Sequence, residues 1–122
     1  MGLPDLDETL RRLKAYSAAG ADCLYAPGIR SPQQITAVVK AVAPKPVNVL
    51  MPGALGLTVD DVAQCGARRI SVGGTLARVA WGAFVRCARQ IADEGRFDRF
   101  GDAVPHAELN AFFRDDMAKR TP

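Results

Sequence analysis

Two stretches of this chain follow one pattern. Ala19-Gly20-Ala21-Asp22-Cys23-Leu24-Tyr25-Ala26-Pro27-Gly28 aligns with Cys65-Gly66-Ala67-Arg68-Arg69-Ile70-Ser71-Val72-Gly73-Gly74, and one offset separates both Gly20 from Gly66 and Gly28 from Gly74. In each copy a helical pattern stops at Gly-Ala, a short apolar run follows, and the chain leaves through glycine. Successive βα units have this form, and they imply right-handed crossovers and a parallel sheet.

The segments between the repeats fit that frame. Residues 5–19 predict a helix, with Asp5 as cap, Glu8 completing a capping box, Leu6, Leu10, Leu13 and Ser17 on one face, and Gly20 as the stop. Residues 22–26 predict a strand buried on both faces, because the run does not alternate. Ser31-Pro32-Gln33-Gln34 opens a second helix with the stripe Ile35, Val38, Val39 and Val42, ended by Pro44. Residues 46–50 form the second strand. Thr58 caps a short helix that Gly66 closes, and residues 68–72 form the third strand. A long helix follows, with the stripe Leu76, Val79, Ala80, Ala83, Phe84, Cys87, Ala88 and Ile91, ended by Gly95. A last helix over 105–119 carries Leu109, Phe112, Phe113 and Met117.

Three parallel strands are few. Such a sheet normally has both faces and both edges protected. The chain is therefore expected either to be a small domain that associates or to be part of something larger. Its 122 residues fit one domain, and 48% hydrophobic content excludes a disordered chain. No apolar run is long enough to span a bilayer, and the residues before Asp7 do not resemble a secretory leader. The net charge of +3 is dispersed: Arg11, Arg12 and Lys14 lie beside Asp5, Asp7 and Glu8, so no nucleic-acid face is expected. Cys23, Cys65 and Cys87 form neither a CxxC motif nor an even set. They read as small buried hydrophobes in a reducing cytoplasm.

Three segments, in order, resemble the isocitrate lyase/phosphoenolpyruvate mutase superfamily, closest to its phosphonomutase and 2-methylisocitrate lyase-like members. Residues 11–22 match an R-x-x-A-Y-x-x-A-G-A-D segment. Residues 46–50 resemble the next strand, and Gly66 to Gly73 with Leu76-Ala77-Arg78 resemble the last strand and its helix. The resemblance covers roughly residues 5–100. It implies an α/β fold whose parallel βα units are the last three strands of a TIM (β/α)8 barrel, incomplete in this chain. Residues 1–100 would be the partial barrel. Residues 101–122 would be a C-terminal helix, exchanged with a neighbouring subunit in a homo-oligomer, with 95–101 as hinge. It further implies Mg²⁺-dependent C–C or P–C bond chemistry through an enolate of a small 2-oxo or carboxylate substrate. The acidic Mg²⁺-holding cluster and the Lys-Cys loop of that family have no counterpart among these residues. Where many members carry a Glu, this chain has Ala26-Pro27.

Barrel chemistry sits at the C-terminal ends of strands. Asn48, a polar residue in an apolar strand, matches a family Asn that contacts the substrate carboxylate; a buried amide satisfying nearby backbone is the other reading. Gly73-Gly74-Thr75 opens a helix, where free N–H groups and the helix dipole favour an anion, or it is a plain tight turn. Arg78, one turn on, either supports that anion or is solvated. No general base, nucleophile or metal ligand is assigned. His106 reads as a capping or surface residue, and Asp60-Asp61 and Asp115-Asp116 as a helix first turn and a solvated face. The alternative to an enzyme is a truncated, non-catalytic relative that folds by self-association.

Overall fold

The computed structural model describes residues 5–120. The expectation about a leader falls in part on residues 1–4, outside the described residues. The elements run α1 (Leu6–Ala18), β1 (Leu24–Tyr25), α2 (Pro32–Val42), β2 (Val47–Leu50), α3 (Val59–Gln64), β3 (Arg69–Ser71), α4 (Thr75–Glu94), a 3-10 turn (Asp98–Asp102) and α5 (His106–Arg120). The chain divides after Arg78 into two compact units.

The first unit contains the sheet. Its order is β1-β2-β3 and both pairings are parallel, with Leu24 opposite Val47, Tyr25 opposite Asn48, Asn48 opposite Arg69 and Leu50 opposite Ser71. The sheet is open, and no barrel closes among the described residues. Leu24, Val47 and Val49 are buried with Leu13 of α1, Ile35, Val38 and Val42 of α2, and Val62 of α3.

Local chemistry explains the helix ends. Ser31 Oγ accepts from the Gln34 N–H, while Gln34 Oε1 accepts from the Ser31 N–H, a closed capping box behind Pro32. Thr58 and Asp61 close another over α3. The box expected over α1 forms only by half. Asp5 accepts from the Glu8 N–H at 3.0 Å, but the Glu8 carboxylate turns to Arg11 and Arg12, each at 2.6 Å. Two guanidinium groups at i+3 and i+4 outcompete a neutral amide for a carboxylate. They hold the Glu8 carboxyl down at about 2.

The repeat now has a physical basis. Gly20 and Gly66 both follow a helix and both take positive φ, +102° and +92°. Gly66 is also a close approach: a Cβ there would lie 2.8 Å from Val39 Cγ1.

Two expectations are corrected. β1 is not buried on both faces: Leu24 is buried, but Tyr25 is 46% exposed, because α1 and α2 cover one side of the sheet only. The cysteines are not fully buried, although Cys65 packs against the core. Cys23 is exposed, Cys65 and Cys87 are half-buried, and all three are free thiols.

The apolar stripes of the last two helices do not form a buried layer among the described residues. No residue of α4 or α5 is buried, and Leu76 is 71% and Phe112 66% exposed. In the second unit the rings find one another instead. Trp81 meets Phe84 edge-on, as Phe112 meets Phe113, both at 5.5 Å.

Candidate functional site

The side of the sheet that the helices leave open is polar. Its residues follow from strand alternation: with Leu24, Val47 and Val49 turned to the helices, Tyr25, Asn48 and Arg69 form one row across β1, β2 and β3, and Leu50 and Ser71 form the next.

Asn48 is the centre of that surface. It is 4% exposed and is the buried polar residue of the core region. Its amide is held at both ends: Nδ2 donates to Ser71 Oγ at 2.9 Å, and Oδ1 accepts from Arg69 Nη1 at 3.1 Å. A buried amide so paired is a stable, oriented group rather than a cost to folding. The sequence-level alternative of an amide satisfied by backbone does not describe it, since both partners are side chains of β3.

The other residues singled out from sequence lie elsewhere. Gly73 takes φ +54° and turns the chain into α4. The Thr75 N–H donates to Val72 O at 3.1 Å, closing the turn, and the Arg78 N–H donates to Gly74 O at 3.0 Å as an ordinary helical bond. Of the three turn residues, Thr75 therefore offers no free N–H. Its side chain lines an apolar cleft of about 350 Å³ with Met51, Leu57, Val62 and Val72. Arg78 is exposed. No hydrogen bond joins Asn48 to Gly73, Gly74, Thr75 or Arg78 among the described residues.

A second cleft, of about 400 Å³, follows β1. Tyr25, Ala26, Pro27 and Gly28 face Thr9, Arg12 and Tyr16 of α1 across it.

Sequence reasoning passed over Arg69, Ser71 and Tyr25. The signal for Arg69 and Ser71 was period-two alternation in 69–72, where they interleave with Ile70 and Val72. Register with Asn48 is what turns that alternation into a site.

No group of three or more His, Cys, Asp or Glu side chains able to hold a metal ion occurs among the described residues. The residues at and just after the strand ends, Ala26, Met51 and Val72, carry no carboxylate. Asp61 is held by Thr58, and Asp115 and Asp116 pair with Arg114 and Arg120. No helix of the described residues is long and apolar enough to cross a membrane.

Comparison with known proteins agrees with this fold. Residues 2–92 match the phosphoenolpyruvate phosphomutase family model. A lyase/mutase, so assigned, from Burkholderia cenocepacia is 49% identical in sequence and superposes with a TM-score of 0.84 over 93% of this chain and 41% of its own. Oxaloacetate acetylhydrolase, solved with its product oxalate, is 25% identical with a TM-score of 0.69 over 93% of this chain and 42% of its own. An uncharacterized protein of Mycobacterium tuberculosis is 32% identical over 108 residues, 88% of this chain and 39% of its own length. The chain thus spans about two fifths of the relatives it matches. An ordered parallel β1-β2-β3 sheet and a family match running from before α1 into α4 lead to one assignment: the chain belongs to the phosphoenolpyruvate mutase/isocitrate lyase superfamily.

Proposed function

We propose that this chain supplies the substrate-anion side of a lyase or phosphonomutase acting on small 2-oxo or carboxylate substrates by C–C or P–C bond chemistry. The observation that carries this reading is Asn48. A nearly buried amide, locked by Ser71 and Arg69 on the sheet face that no helix covers, is built for recognition. Breaking a C–C or P–C bond next to a carbonyl leaves negative charge on an enolate, which fixed donors and cations must stabilise. This chain brings Asn48 and Arg69 to that task, while Gly73, Gly74 and Thr75 turn the chain into α4. The Mg²⁺ that the family resemblance implies does not fit these residues, because no carboxylate cluster accompanies them among the described residues. No step is assigned to it here, and acid–base groups would come from outside residues 5–120.

In the same reading, residues 101–122 exchange with a neighbouring subunit of a homo-oligomer, and the three free thiols fit a reducing cytoplasm. A second reading, a non-catalytic relative that folds by self-association, is favoured by the open apolar faces of α4 and α5.

One assay separates the two. The chain is incubated with Mg²⁺ and oxaloacetate, 2-methylisocitrate or phosphonopyruvate. It is tested alone and mixed with the remaining N-terminal part of the Burkholderia relative. The first reading predicts no turnover alone and turnover in the mixture that Asn48→Ala abolishes with the circular dichroism unchanged. A mixture that assembles yet turns over none of the three substrates contradicts it and leaves the non-catalytic reading.

A further inference from the structure

The geometry points to Arg69 as the group that takes the substrate's carboxylate, with Asn48 as its positioning residue. This rests on the reading that the open sheet face belongs to the substrate site, and it moves the anion contact from Asn48 and the Gly73–Thr75 turn to β3.

The argument is a count of donors. A guanidinium has five N–H groups in a fixed fork. One, on Nη1, is used by Asn48 Oδ1. The Nε–Nη2 edge has no protein partner among the described residues, and that edge matches a carboxylate with two parallel hydrogen bonds. The cationic charge is free as well. Arg11, Arg12, Arg96, Arg114 and Arg120 each pair with a carboxylate, whereas Arg69 pairs with none among the described residues, and its row neighbours Tyr25 and Asn48 are neutral.

Asn48 is the poorer contact. It is nearly buried, its carbonyl faces Arg69, and one amide hydrogen faces Ser71, so a single N–H remains. What it does well is hold Arg69. A long side chain loses rotamer freedom on binding an anion, and a fixed Nη1 removes part of that loss beforehand. Arg78 has no such anchor among the described residues, and the Thr75 N–H is already used. The ligand class is a small carboxylate whose neighbouring oxygen reaches the remaining Asn48 N–H, as in a 2-oxo acid or oxalate.

The test uses the full chain, ¹⁵N-labelled and titrated with oxalate at constant ionic strength against acetate and chloride. Saturable shifts are expected at Arg69 Nε–H and the Asn48 side-chain amide. Arg69→Gln should weaken binding at least about tenfold, and Arg69→Lys, which keeps the charge but loses the fork, by a smaller factor. Asn48→Ala should weaken it too, while Arg78→Gln should titrate like the wild type. Circular dichroism checks each fold, and Arg69→Lys carries the test if Arg69→Gln unfolds. Binding that survives both Arg69 variants, or is lost in Arg78→Gln instead, overturns the assignment of Arg69 and leaves the functional reading standing. A wild-type chain with no saturable oxalate binding overturns both.

Discussion

Residues up to Arg78 and residues after it both carry apolar stripes at helical spacing, yet only the first set closes on itself. Ile35, Val38 and Val42 of α2 vanish beneath the sheet, whereas Val79, Phe84 and Ile91 of α4 and Phe112 of α5 stay open. The periodicity is the same. The difference lies in what each stripe meets: α2 follows β1 and precedes β2, so its stripe falls on their shared face, while no strand follows α4 among the described residues. Helical periodicity states which face needs cover and is silent on whether the chain contains the cover.

The contrast is broken or sharpened by substitution. The largest effect is expected in the first core, where Ile35→Ala should cost about 2–5 kcal/mol in urea unfolding, against less than about 0.5 kcal/mol for Phe112→Ala in dilute solution. Equal costs would mean that the second unit's apolar face is covered after all. Next comes the repeat. Gly66→Ala should cost about 1–3 kcal/mol, since it forces a Cβ both into positive φ and against Val39, and Gly20→Ala should cost less, with open space around it. Removing one cap, by Ser31→Ala, should cost about 1 kcal/mol.

The smallest effect is the pH dependence of α1. Arg11 and Arg12 depress the Glu8 carboxyl from 4.5 to about 2. A depressed carboxyl stabilises the fold when ionised, so its contribution is full above about 4.5 and is lost as pH falls through about 2. The pair is exposed, so added salt should shrink the effect. Glu8→Gln should flatten the acid limb of the melting curve, and an unchanged limb would remove Glu8 from the account.

Much of the fold is written in short-range chemistry. The Ser31/Gln34 and Thr58/Asp61 boxes, the Gly20 and Gly66 stops and the three strands follow from residue types at fixed spacing. The errors share one cause. The run 22–26 has no polar residue between Cys23 and Ala26, so Tyr25 looks internal; its exposure depends on which side the helices occupy. The same holds for the cysteines. The site was half legible. Asn48 stands out within its own strand, but Arg69 and Ser71 matter through cross-strand register, which no single segment contains. Glu8 shows the converse, a local motif overruled by two cations one turn away.

Amide hydrogen exchange on the dilute chain tests most directly that order is concentrated before Arg78. The slowest exchange is expected over 35–42 and 47–50, where α2 and β2 are buried, with amides of 79–94 and 106–120 exchanging orders of magnitude faster. Uniform protection across both units would contradict the account, because the stripes of α4 and α5 would then be packed within the single chain.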